Sequence, residues 1–97
     1  MNYFFSEAAR SEHLEHVAWY EERQRGLGAR YLAAFDIAMG RVCMDPTRFP
    51  VEAPPGIRRI RVSGFPIHIL YREIGGEVEV LALAHHKRQP GYWTRRI

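Results

Sequence analysis

The spacing of apolar residues changes near the middle of the chain. Up to about residue 44 they recur at helical intervals, and from residue 57 they recur at every second position. "NYFFS" (2–6) is a short aromatic run of the strand type, and Ser6 stands where a helix N-cap belongs. From Ser6 to about Arg25 there is neither Pro nor Gly. Leu14, Val17 and Ala18 fall at helical spacing, with Glu12, Glu15, Glu21 and Glu22 on the more polar faces, which predicts a first helix. "RGLGA" (25–29) breaks it. Tyr31, Phe35, Ala38 and Val42 then recur at i, i+4, i+7 and i+11, which predicts a second helix ending before "MDPTRFP".

Residues 45–56, "DPTRFPVEAPPG", hold four of the six prolines and have no period, as expected of a rigid connection over the surface. "IRRIRV" (57–62), "FPIHILYREI" (65–74) and "EVEVLALAHH" (77–86) read as three strands, the last two joined by Gly75-Gly76, a two-residue hairpin signal. That turn sets an expected register. Arg72 faces Glu79, Leu70 faces Leu81 and His68 faces Leu83 on one side; Tyr71 faces Val80, Ile69 faces Ala82 and Ile67 faces Ala84 on the other. The Tyr71 side is apolar and is expected to pack on the helices, with Ile60 and Val62 beside it. The opposite, mixed face then presents Arg59, Arg61, His68, Arg72 and either His85 or Lys87. The expected fold class is α+β: an N-terminal strand and helical hairpin packed on one face of a small antiparallel sheet, in a single domain spanning residues 1–97.

Composition agrees with a folded domain, since 46% of the residues are hydrophobic and 26% are charged. The only cysteine, Cys43, excludes an intramolecular disulfide and a pair of zinc-binding thiolates; it reads as a small buried hydrophobe. His13 and His16 with Glu12 and Glu15 read as a solvated helix face, because a helical metal site of this kind draws ligands from other helices as well. No metal or cofactor is expected. No apolar run approaches the roughly 18 residues of a membrane span and no secretory leader is apparent, so a soluble cytoplasmic protein is expected.

Charge changes the picture more. Residues 1–56 carry six basic and eight acidic side chains, a balance of −2, whereas residues 57–97 carry eight basic and three acidic, a balance of +5. Thirteen of the fourteen basic residues are Arg, whose planar fork suits phosphate and carboxylate; Lys87 is the only lysine. An acidic partner is expected, either nucleic acid or an acidic protein segment. The charge culminates in "HHKRQPGYWTRR" (85–96), with two histidines, four cationic side chains and two aromatics.

The Arg-rich strand, the "IHILYR" strand and the final "VLALAHHKRQPGYW", in this order after a helical hairpin, resemble the RelE/ParE superfamily of toxins from bacterial type II toxin-antitoxin systems. The resemblance covers nearly the whole chain and is most specific in its last 40 or so residues. It implies growth inhibition, a role in plasmid stabilization, and a hetero-oligomer with a cognate antitoxin whose disordered C-terminal segment wraps the toxin. It also implies one of two mechanisms: ParE-like members poison DNA gyrase without being hydrolytic enzymes, while RelE-like members cut mRNA on the ribosome without a metal. The long hairpin and the scarcity of lysine favour the ParE-like branch. An inactive, partner-binding relic is a third possibility.

Metal-free RNA cleavage needs an acid, a base and cations for the developing phosphorane charge. For that chemistry the candidates are Arg59, Arg61, His85 and Tyr92, with His85 preferred to His86 because strand alternation places it on the mixed face. For a gyrase-binding protein the candidates are Arg72, Lys87, Arg88, Tyr92, Trp93, Arg95 and Arg96. In that reading Tyr92 and Trp93 serve as interface anchors, unless they fold back onto the sheet as core.

Overall fold

The computed structural model describes all of residues 1–97. The chain runs β1 (Tyr3–Phe5), α1 (Glu7–Arg23), α2 (Leu27–Met44), β2 (Val51–Ala53), β3 (Ile57–Arg61), β4 (Ile67–Ile74), β5 (Glu77–His85) and a C-terminal 3-10 turn (Tyr92–Arg96). The strands form one five-stranded sheet in the order β1-β5-β4-β3-β2. The α+β class holds, but the sheet is larger than the expected antiparallel one, and it is mixed: β1 pairs with β5 in parallel. The Pro-rich connection also contains a strand, because Val51 and Ala53 pair with β3 across an irregularity. Pro50 and Pro54 are tolerated there because an edge strand needs hydrogen bonds on one side only.

Ser6 caps α1, its hydroxyl accepting from the Ala9 amide at 3.1 Å. The buried face of α1 differs from the expected Leu14, Val17 and Ala18 stripe: Ala9, Glu12 and Tyr20 are buried, His13, His16 and Val17 half-buried, and Leu14 is 58% exposed. Aromatic packing accounts for the rotation. The His13 ring stacks on Phe5 at 5.0 Å and lies 4.4 Å from Phe35, and Tyr20 packs on Tyr31. The pair His13 and His16 is therefore not the solvated face expected of it. On α2 the expected positions Tyr31, Phe35, Ala38 and Val42 are all buried. The hairpin joining the helices is tight: a Cβ on Gly28 would come within 2.9 Å of the Val17 carbonyl oxygen. The Glu21 carboxylate of α1 accepts from the Gly26 and Gly28 amides, supplying the capping oxygen that a glycine N-cap lacks.

Both helices cover one face of the sheet, closing over Ile60, Val62, Ile67, Ile69, Val78 and Val80. In the β4–β5 hairpin, Gly75 and Gly76 have φ of +58° and +79°, the left-handed backbone that a two-residue turn of this kind requires. The expected pairs Arg72 with Glu79 and Tyr71 with Val80 form. Between Leu70 and Tyr71 the register then slips by a β-bulge, so that Leu70 faces Ala82, Ile69 faces Leu83, His68 faces Ala84 and Ile67 faces His85. Leu81 and Ala82 both join the outer apolar cluster, whereas Leu83 belongs to the helix-side core. Every residue of β5 beyond the bulge lies on the face opposite to the one simple alternation assigns.

Candidate functional site

Strand β1 pairs with β5 only as far as Val80, which leaves the edge of β5 beyond it without a strand neighbour. Side chains complete that edge. The Ser6 hydroxyl donates to the Leu81 carbonyl at 3.3 Å, the Leu83 amide donates to Glu12 Oε1 at 3.0 Å, and the His16 Nε2 lies 2.8 Å from the Leu83 carbonyl oxygen. The C-terminal turn comes to the same place. The Tyr92 hydroxyl donates to Glu12 Oε2 at 2.6 Å, while the Arg96 guanidinium donates to both Glu12 oxygens, at 2.8 and 3.1 Å, and to the Leu81 carbonyl at 3.0 Å. Burial of Glu12 works against its charge, yet the hydrogen bonds from Arg96, Tyr92 and Leu83 outweigh it and hold the carboxyl below the usual carboxylate range. Burial, together with the bond to Glu12, pushes the Tyr92 phenol well up, so it remains a donor.

This polar latch fastens the tail across the outer face of the sheet. Trp93, only 5% exposed, closes over Ile57, Leu70, Leu81 and Ala82 as a second small core. The indole is thus core rather than an exposed anchor, because these four apolar residues on the outer face need a cover. Tyr92 is half-buried, with its ring beneath the Arg88 guanidinium at 3.9 Å.

Between the sheet and the turn at residues 88–91 lies a cleft of about 210 Å³, whose polar lining includes Glu52, Arg59, His68, His86 and Arg88. Arg59 is ion-paired with Glu52 at 2.8 Å, and Arg61 of the same strand donates to the Phe65 carbonyl at 3.1 Å. Partial burial and the nearby Arg59 and Arg61 charges lower the pKa of His68 and favour its neutral form. His86 is exposed on this side, its ring stacked on His85 at 4.6 Å.

His85 itself is displaced by the bulge. Paired with Ile67, it lies on the helix side and lines a separate cleft with His16, Trp19 and Lys87, and it also borders the outer cleft. Burial and the neighbouring His86 and His16 lower its pKa, and its Nδ1 accepts from the Lys87 amide at 3.1 Å. The preference for His85 over His86 on the mixed face is therefore corrected: His68 and His86 are the histidines of that face. Arg72 is tied to Glu79 at 2.8 Å, and Arg96 to Glu12. Of the expected target-binding set, Lys87, Arg88 and Arg95 keep exposed side chains without an ion pair. Glu12 is the residue that sequence reasoning leaves on the polar side of the helix. Its signal is the series Ala9, Glu12, His16 and Tyr20, one helical face on which two polar residues continue the buried line.

A family model for the ParE toxin of the type II toxin-antitoxin system parDE matches residues 3–90. No curated protein matches the chain. Among solved structures it is similar to the chromosomal ParDE toxin-antitoxin system from P. aeruginosa, with a TM-score of 0.71 and 16% identity over 88% of this chain and 95% of that one.

Proposed function

Because the chain belongs to the ParE toxin family of type II toxin-antitoxin systems, we propose that it acts by binding DNA gyrase and inhibiting it, not by cutting RNA. The observation that carries this reading is that the nuclease set is already engaged, although Arg59, His85 and Tyr92 all border the outer cleft. Tyr92 spends its hydroxyl on Glu12, Arg59 is paired with Glu52, Arg61 is bonded to a backbone carbonyl, and His85 is displaced to the helix side. An acid, a base and free cations do not converge on one reacting atom, as general acid-base cleavage requires. What remains is a surface of exposed cations, Lys87, Arg88 and Arg95, beside a basic cleft. Such a surface suits the docking of an acidic target in the cytoplasm.

The partner that silences the toxin is its cognate antitoxin. The exposed apolar residues that an amphipathic antitoxin segment covers are Ile37 and Met44 on α2, 68% and 89% exposed, with Tyr3 and Phe4 on edge strand β1. A pull-down with the product of the adjacent reading frame yields a complex at micromolar concentration. A supercoiling assay with purified gyrase, run beside an mRNA cleavage assay on ribosomes, tests the target. Gyrase is inhibited and mRNA stays intact. Cut mRNA with unaffected gyrase overturns the reading in favour of a nuclease, for which His68 and His86 in one cleft are the supporting observation.

A further inference from the structure

The cleft combines five cationic or protonatable side chains from three segments: Arg59 on β3, His68 on β4, and His85, His86 and Arg88 at and just past the end of β5. Its one carboxylate, Glu52, is already paired with Arg59. The basic surface continues past the turn, where Arg95 lines an adjoining depression with residues 89–92. We infer that this cleft holds consecutive phosphates of duplex DNA and leaves the bases unread.

The material of the cleft separates this ligand from its competitors. A protein partner needs a desolvated apolar or aromatic anchor at the centre of its contact. The apolar and aromatic residues that line the cleft, Leu70, Ala84, Tyr92 and Trp93, are buried or half-buried in the outer core, and the large exposed ones, among them Leu14, Trp19, Ile37 and Met44, lie elsewhere. Single-stranded nucleic acid is held by stacking bases on exposed aromatic rings. Here Trp93 is buried and the Tyr92 face is occupied by Arg88, so neither ring is open to a base. Cations without free rings suit a backbone whose bases stay paired in their own stack. The inference deepens the gyrase reading and draws its biological sense from it, since gyrase works on duplex DNA. The binding itself is measured without gyrase.

The experiment is fluorescence anisotropy of a short labelled duplex of arbitrary sequence, titrated with the full-length protein at several salt concentrations. Binding weakens as salt rises, and a second, unrelated duplex binds within about twofold. Arg59→Ala and Arg88→Ala each weaken binding by about fivefold and make the log-log salt slope shallower by about 1. Both side chains are exposed, and circular dichroism verifies that the variants fold. Arg23→Ala, on the exposed face of α1, leaves binding unchanged. The inference is overturned by salt-independent binding, by Arg88→Ala binding as well as wild type, by tighter binding of single-stranded RNA, or by equal competition from polyglutamate. Gyrase inhibition without DNA binding overturns this inference alone; DNA binding with unaffected gyrase overturns only the gyrase reading.

Discussion

On the helix side of the sheet, rings meet rings: Phe5, Tyr20, Tyr31, Phe35 and Phe65 interlock above Ile67, Ile69 and Val80. On the outer side a single indole, Trp93, covers Ile57, Leu70, Leu81 and Ala82, and one carboxylate reaching round the strand edge holds the indole's segment in place. The first face is closed by apolar area, which is non-directional and tolerant of small shifts. The second is closed by four directional bonds converging on Glu12, so that it depends on charge and geometry. The space left on the outer face beside Trp93 is bordered by Arg59 and Arg88 together with His68 and His86.

The difference between the faces is open to test, and the largest effect belongs to the helix side. Phe35→Ala costs about 4 kcal/mol of stability, read from the urea midpoint, because the cavity opens among rings that cannot close over it. Trp93→Ala costs about 3 kcal/mol. Its signature differs as well: trypsin cleaves the tail at Arg88, Arg95 or Arg96 faster while the far-UV circular dichroism remains. A fully protected tail in this variant would show that the latch holds without its apolar cover. Glu12→Gln costs about 2 kcal/mol, since it weakens the bonds to Arg96 and leaves buried partners poorly matched.

The same variant has a pH signature. The Glu12 carboxyl titrates lower in the folded state than in the unfolded one, so its contribution is complete above the ordinary carboxylate range and is lost as pH falls through the folded value. The stability gap between wild type and Glu12→Gln is therefore widest at neutral pH and narrows only in acid. A gap that does not change down to strongly acid pH would refute the electrostatic account of the latch. The smallest effect is that of Arg95→Ala, which changes stability by less than about 0.5 kcal/mol, because the side chain is exposed and makes no ion pair.

The sequence makes the helical hairpin, the strand at residues 3–5 and the Gly75-Gly76 turn legible, because each has a local signature: an unbroken helical period, an aromatic run before a cap, two adjacent glycines between alternating strands. The short strand at Val51–Ala53 is hidden among prolines, which usually argue against strands and here only confine one to an edge. The bulge has no local signature at all. From Val80 to Ala84 every residue is apolar, so no polar side chain marks where inward and outward exchange. The latch is hidden for another reason. Glu12 and Arg96 are 84 positions apart in the chain and meet only because β5 runs short of strand partners beyond Val80. The candidate site is thus legible as a composition, arginines and histidines gathered near the C-terminus, but not as an arrangement.

The extra residue in β5 acts like a parity bit for everything written after it. Deleting it would restore plain alternation and still leave His85 opposite Ile67, whereas flattening the bulge with every residue kept would slip the register by one and exchange His85 with His86. Two different surfaces, one turning His86 outward and the other His85, are therefore separated by one step of register within a single sequence.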